Sequence, residues 1–138
     1  MSFTPATAAT FTPTVTLVGG AGNTEPVYST NTGRYLRVGN RVFVDVYLTG
    51  DGGAEGAGTG QFNVALPFAA ASANPSGQIY AGTAFNNTTS YELTGEIVGT
   101  ATTIALAYFN AINTEVAFTG ADQNNATRAV RLQFFYEV

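Results

Sequence analysis

The sequence predicts an all-β protein, built as a single-domain antiparallel β-sandwich of the jelly-roll type. Apolar and polar residues alternate along most of the chain, and no stretch has the period of a helix. Turn signals separate the alternating runs about every 8–12 residues, a spacing typical of strands in sandwiches and barrels. The connections are unequal in length and no repeat period occurs, which favours a small jelly roll over a repeat architecture.

The beginning of the chain divides into an arm and a first strand. Residues 1–10 are mostly small and polar and predict an extended N-terminal arm, followed by the sandwich domain at 11–138. Apolar residues alternate with threonine over Phe11–Leu17, which predicts a strand. Pro13 has no backbone N–H, so it places this strand at a sheet edge or at a strand start. A short strand is predicted at Val27–Asn31.

A hairpin is the clearest local signal. Two alternating runs, Arg34–Val38 and Arg41–Thr49, are separated only by Gly39-Asn40, which predicts a tight two-residue turn. One face of the second run is expected to form core, with Val42, Val44, Val46 and Leu48. The opposite face carries Phe43, Asp45 and Tyr47, and two aromatic rings beside a carboxylate are unusual for a face that meets solvent.

The same alternation continues to the end of the chain. It predicts strands at 61–66, 78–85, 91–98, 102–109, 115–118 and 128–138. The core side of the last strand is expected to carry Val130, Leu132, Phe134 and Tyr136, and its outward side Ala129, Arg131, Gln133 and Phe135. The segment Gly50–Gly60 has six glycines and predicts a long flexible loop with too few apolar residues to pack.

The composition excludes several kinds of chemistry. Cysteine, histidine and lysine are absent, so the chain has no thiol nucleophile, no imidazole base and no Schiff-base lysine. A net charge of −4 with five arginines argues against binding to nucleic acid or to an anionic membrane. No apolar run approaches the roughly 20 residues that span a bilayer, and the first residues do not have the character of a secretory signal.

The acidic residues give only weak site candidates. Glu92 and Glu96 are the nearest to a catalytic carboxylate pair, but on one strand face they are better explained as solvated side chains. Asp51 and Glu55 lie in the glycine-rich segment, where calcium is conceivable, but their spacing does not match an EF-hand loop. We therefore expect a protein without enzyme activity, and no catalytic, cofactor or metal site is assigned.

The surface composition favours self-association. Charged residues make up 10% of the chain, compared with about 25% in ordinary domains. Exposed aromatic patches commonly mark interfaces, so the self-association candidates are Phe43, Asp45, Tyr47, Arg131 and Phe135. An ion pair between Asp45 and Arg131 is a further hypothesis. The alternatives are a charge-poor monomer, or a β-bulge that reverses the inward and outward faces.

Three segments resemble a family of phage proteins. Phe11–Thr16 is similar to the aromatic-Thr-Pro opening of trimeric terminal domains in tailed-phage fibre and tailspike proteins. Gly33–Val44 resembles their Gly-x-Tyr strand with its Gly-Asn hairpin, and Leu66-Pro67-Phe68 resembles the Leu-Pro-Phe that ends a later strand. The three occur in the family's order and spacing.

The resemblance implies a TNF-like jelly-roll homotrimer and a virion protein without enzyme activity, made in the host bacterial cytoplasm and assembled on the particle. In such trimers, outward aromatics like those of this chain pack around the threefold axis. Fibre proteins usually add a tail-attachment region and a stalk, which this sequence does not display. The closer resemblance is therefore to capsid decoration (cement) proteins, whose partner is the major capsid protein. Candidates for a capsid-anchoring arm are Ser2, Phe3, Thr4 and Pro5.

Two other functions remain open at this stage. A tail-fibre tip or receptor-binding module would bind tail proteins and contact a host surface glycan through loops such as Gly50–Gly60 and Asn86–Ser90. A carbohydrate-active enzyme or free lectin is the other alternative. The absence of histidine and of convincing paired carboxylates argues against the enzyme.

Overall fold

The computed structural model describes residues 7–71, 79–98 and 100–138. Over these residues the chain forms ten strands and one short 3-10 helix. The strands are β1 (Thr7–Phe11), β2 (Val15–Val18), β3 (Thr30–Val38), β4 (Arg41–Asp51), β5 (Gln61–Ala65), β6 (Ile79–Asn86), β7 (Thr89–Glu96), β8 (Thr103–Phe109), β9 (Glu115–Ala117) and β10 (Thr127–Glu137), and the 3-10 helix is Gly120–Gln123. The predicted all-β class is confirmed. In the described part of the chain, no helix has the length and apolar character needed to cross a membrane.

The strands form one antiparallel sheet that curls back on itself. Its order is β1-β3-β4-β10-β6-β7-β8-β5-β2, and β9 pairs with β8 outside this path. The two edge strands, β1 and β2, are joined by only three residues, 12–14. An extended chain covers at most about 14 Å between Phe11 and Val15, so the opposite edges of the sheet must lie close together. The curl encloses the core in the manner of a sandwich.

The core consists of the inward rows of both halves of the curled sheet. All predicted core residues of β4 and β10 are buried: Val42, Val44, Val46, Leu48, Val130, Leu132, Phe134 and Tyr136. They belong to one cluster with Phe62, Val64, Leu93, Ile104 and Leu106 from the other half. Burial of each large apolar side chain contributes roughly 1.5–3 kcal/mol to folding. The predicted inward and outward faces of β4 and β10 are therefore confirmed.

The predicted hairpin is also confirmed. Val38 pairs with Arg41 across the two-residue connection. Gly39 has a φ of +59°, which the first central position of a type II′ turn requires and which glycine adopts without strain. β3 begins at Thr30, so only the end of the short strand predicted at Val27–Asn31 is strand.

The first predicted strand is divided in two. β1 ends at Phe11 and β2 begins at Val15, with a buried Pro13 between them. Because proline cannot donate to a ladder, it suits the point where the chain passes from one sheet edge to the other. Thr7–Phe11 pairs with β3, so the predicted boundary between arm and domain falls inside a strand. The arm candidates Ser2, Phe3, Thr4 and Pro5 lie outside the described residues.

The glycine-rich segment packs, so the prediction of an unpacked loop is wrong. Gly56 and Gly60 are buried. Backbone hydrogen bonds join Val27 N to Ala54 O at 2.8 Å and Gly56 N to Gln123 O at 2.9 Å. The side-chain pattern of this segment does not predict the packing, because backbone groups make these hydrogen bonds.

Arg128 holds the same loops from inside. Its side chain is 2% exposed and occupies a core-facing position of β10. The guanidinium donates to the carbonyl oxygens of Val27, Gly52, Ala54 and Asn125. It also lies 5.5 Å from the centroid of the Tyr28 ring. One buried cation thus ties three separate loops to the end of the sheet.

Candidate functional site

The outward side of β3, β4, β10 and β6 forms an exposed apolar surface, called the aromatic face below. Its members are Leu36, Phe43, Tyr47, Tyr80, Phe85 and Phe135. The strand register brings them together, because Phe43 is opposite both Leu36 and Phe135. Tyr47 is four residues further along β4 and is opposite Arg131.

Ring contacts organise this face. The centroids of Phe43 and Phe135 are 5.9 Å apart. The guanidinium carbon of Arg41 lies 5.0 Å from the Phe135 centroid, and Arg41 also pairs with Glu137 at 2.8 Å. Such rings and arginines are enriched where proteins associate.

The five self-association candidates all lie on this face, but the hypothetical ion pair is not formed. Asp45 is opposite Arg34 and Gln133 in the register, one diagonal step from Arg131. The Arg131 guanidinium carbon lies instead 4.5 Å from the centroid of the Tyr47 ring. Within the described ranges, Arg41–Glu137 is the ion pair the structure contains on this face, and none joins Asp45 to either neighbouring arginine.

A polar cleft of about 350 Å³ opens beside these residues. It is lined by Asp45, Tyr80, Gly82, Thr83, Arg131 and Gln133. Its geometry depends on a bulge, because the register of β6 against β7 shifts between Tyr80 and Gly82. A Cβ atom on Gly82 would lie 1.9 Å from the Arg131 carbonyl oxygen, so the position accepts only glycine without rearrangement. The bulge turns Tyr80 outward to the edge of the cleft.

A shallow apolar groove lies at the other end of the face. It has a volume of about 470 Å³. Leu36, Phe43 and Phe135 line it together with Arg34 and Asp45. The carboxylate of Asp45 therefore borders both the groove and the polar cleft.

The outer side of the other half of the sheet has a different character. β7, β8 and β5 present mainly small and polar side chains there, including Glu92, Thr94, Glu96, Thr103, Ala105, Gln61 and Asn63. Glu92 and Glu96 share this face with Thr94 between them, as the alternation predicts. Phe109, at the end of β8, is the exposed aromatic side chain on this side in the described residues. The larger group of exposed aromatic side chains therefore lies on the aromatic face.

In the loop considered for calcium, backbone carbonyl oxygens already accept hydrogen bonds from another side chain of the protein. Glu55 is exposed, and Asp51 lies at the end of β4. The neighbouring carbonyl oxygens of Gly52 and Ala54 accept hydrogen bonds from Arg128. Across the described ranges, no three acidic, histidine or cysteine side chains come together as metal ligands.

A tyrosine cluster lies at the rim of the core. The Tyr91 hydroxyl donates to Asp122 Oδ1 at 3.3 Å, and Asp122 Oδ2 accepts the Thr119 N–H at 2.8 Å. Burial raises the pKa of Tyr91 to about 12, and the negative charge of Asp122 adds to this effect. Burial likewise raises the pKa of Tyr108. These phenols remain protonated near neutral pH and supply no nucleophile there.

Sequence reasoning missed two parts of this arrangement. Arg128 lies at a core-facing position of β10. A charged residue at such a position was the feature of the sequence that could have predicted a buried cation. Tyr80 was missed because the bulge at Gly82 interrupts the period of two.

Comparisons with known proteins found no matching protein-family model, curated protein or solved structure. The candidate site is therefore interpreted from its own geometry.

Proposed function

We propose that this chain is a non-enzymatic structural protein of a tailed-phage virion, a capsid decoration (cement) protein that binds the outer capsid and stabilises it. In this proposal it folds as a TNF-like jelly roll and acts as a homotrimer. The observation that supports assembly is the aromatic face. The phage assignment rests on the resemblance of Phe11–Thr16, Gly33–Val44 and Leu66–Phe68 to trimeric virion domains.

The aromatic face supports self-association because its apolar groups are contiguous. Phe43 and Phe135 are 43% and 53% exposed although they lie within regular, paired strands. Single exposed apolar residues are common on monomers, but a contiguous patch marks an interaction surface. The outer side of β7, β8 and β5 provides the contrast within the same molecule, since apart from Phe109 at the end of β8 it presents small and polar side chains.

The arm provides a way to bind the capsid. Ser2, Phe3, Thr4 and Pro5 directly precede β1, which pairs with β3 of its own chain. Three copies would present three arms to the capsid lattice, and simultaneous attachment gives avidity without a large contact at each arm. The major capsid protein is the proposed partner.

The amount of the protein in purified virions tests this proposal. A copy number near that of the major capsid protein is expected for a decoration protein. A small fraction of that number would indicate a tail component, and absence from particles would overturn both virion functions.

A test of the arm's role must delete fewer residues than the predicted arm, 1–10, contains. Thr7–Phe11 forms part of the sheet, so removal of residues 2–6 leaves β1 intact. The shortened chain is expected to fold and associate but to lose capsid binding. Retained binding would contradict the role of the arm.

A tail-fibre tip that contacts host surface glycan is the second candidate. The fixed loops around Arg128 favour it, because an ordered surface loses less entropy on binding. Replacement of the loop residues 53–59 would then alter adsorption to host cells and leave particle stability unchanged. A decoration protein predicts that the same replacement leaves adsorption unchanged.

A further inference from the structure

Among the described residues Asp45 has no ion-pair partner, and it lies between two exposed aromatic side chains of its own strand. Its neighbours along β4 are the exposed Phe43 and Tyr47, two residues away on either side. Across the strands it is opposite Arg34 and Gln133, and neither makes a hydrogen bond or an ion pair with it in the described structure. If this face is covered, the carboxylate loses its water and needs a charged partner from outside.

Arg131 is the complementary group on the same face. Its ring contact with Tyr47, at 4.5 Å, directs the guanidinium without using its hydrogen-bond donors. In the described part of the chain that guanidinium makes no hydrogen bond and no ion pair. A planar guanidinium with free N–H groups is well suited to bind a carboxylate through two parallel bonds.

The polar cleft gives the two groups room to receive a partner. Asp45 and Arg131 both line it, together with the polar side chains of Thr83 and Gln133. Gly82 lines the same cleft. A Cβ there would meet the Arg131 carbonyl oxygen, so a glycine at this position lets β6 approach the backbone of β10 beside Arg131. The cleft therefore offers one acceptor and one donor side by side.

We infer that the occupant of this face is a second copy of the same chain, and that Asp45 of one copy binds Arg131 of the next. The inference rests on the proposed homotrimer. Each copy contributes one carboxylate and one guanidinium, so every charge is paired when the ring of copies closes. The aromatic side chains supply buried area, whereas the charge pair fixes the register in which the two faces meet.

Charge exchange tests the contact directly. D45R and R131D are each expected to weaken association by at least about 30-fold, because each places like charges together or leaves a charge unpaired. The double variant D45R/R131D recreates the pair in reverse and is expected to recover association to within about tenfold of the original chain. Sedimentation velocity over a range of concentrations measures these changes.

Arg34 provides the matched control. It carries the same charge, is exposed on the same face and is opposite Asp45 in the register. The double variant D45R/R34D is not expected to recover association. Recovery in this variant, without recovery in D45R/R131D, would overturn the assignment to Arg131. If D45R fails to fold, as judged by circular dichroism, the smaller change D45N replaces it and is expected to weaken association.

The outcomes separate this inference from the proposed function. A chain that associates normally in both single variants overturns the Asp45–Arg131 contact and leaves the trimer in place. A chain that is monomeric at all concentrations contradicts the trimer itself. If that monomer binds capsids and D45R abolishes the binding, the face belongs to the capsid protein and not to a second copy.

Discussion

Arg128 and Gly50 lie so close that a side chain at position 50 would occupy the space of the guanidinium. A Cβ atom on Gly50 would be 2.6 Å from Arg128 Cζ and 2.6 Å from Nε. The glycine thus allows the arginine to lie flat against β4 and to reach the carbonyl oxygens of three loops. Neither residue type alone explains the buried cation, because each depends on the other.

Replacing Arg128 is expected to destabilise the fold. In R128M the carbonyl oxygens of Val27, Gly52 and Ala54 lose their donor, and we expect the free energy of unfolding to fall by about 3–5 kcal/mol. Urea denaturation measures the loss, and hydrogen exchange is expected to rise first in the loop at 52–60. The exposed arginine variant R34M is the control, expected to change stability by less than about 0.5 kcal/mol. Equal stability in R128M and R34M would contradict the role of this cation.

The bulge at Gly82 is expected to tolerate no side chain. In G82A the added Cβ meets the Arg131 carbonyl oxygen at 1.9 Å, so β6 or β10 must shift. Gly19 also has a positive φ, +69°, but nothing lies within 4 Å of a Cβ there. We expect G19A to cost about 1–2 kcal/mol, the ordinary penalty for that backbone conformation. G82A is expected to cost at least about 1 kcal/mol more, as overpacking does. Equal melting temperatures for the two variants would show that β6 and β10 move apart without a measurable loss of stability.

Tyr91 is expected to make the fold less stable in alkali. Its pKa is raised from 10.0 to about 12 in the folded chain, because burial and then the charge of Asp122 favour the neutral phenol. Below pH 10 the phenol is protonated in both the folded and the unfolded chain, so its titration does not make the free energy of unfolding depend on pH. Between pH 10 and 12 the unfolded chain loses this proton while the folded chain keeps it, so stability falls as the pH rises. Y91F should therefore show a shallower fall in the free energy of unfolding over this interval. An unchanged slope would mean that Tyr91 is not involved.

Removing one ring from the aromatic face is expected to weaken association without loss of stability. Phe135 is about half exposed and its ring contacts Phe43, so F135S removes interface area at little cost to the core. Ile112 is 80% exposed in the turn between β8 and β9, outside this face, and I112S provides the control. Light scattering at several concentrations should show dissociation in F135S only. Equal dissociation in both variants would indicate that exposed apolar side chains promote association nonspecifically, whichever surface they occupy.

The parts of the fold that were predictable are those in which side chains alone carry the pattern. Val42–Leu48 and Val130–Tyr136 carry a large apolar residue at every second position, so their inward and outward rows followed directly from a period of two. The aromatic face followed from the same rows. Its members on β6, Tyr80 and Phe85, did not, because the bulge at Gly82 shifts the phase of that strand.

The other differences have physical causes that sequence patterns do not record. Gly50–Gly60 packs through backbone hydrogen bonds, to which glycine contributes as well as any residue. The ion pair between Asp45 and Arg131 required a particular register between β4 and β10. The observed register places Asp45 opposite Gln133 and leaves Arg131 beside Tyr47. Alternation fixes which face a residue occupies, but not which residue lies opposite.

The position of β10 has a consequence for the order of events during synthesis. It lies between β4 and β6, so these two strands have no common ladder until Thr127–Glu137 has left the ribosome. Arg131 and Phe135 also arrive with this strand. A growing chain that ends before β10 already contains Phe43, Tyr47 and Asp45 but has neither of these two groups. The charge pair proposed to fix the assembly, Asp45 with Arg131, thus becomes available in the same step that completes the sheet, and unfinished chains offer only one of its two groups.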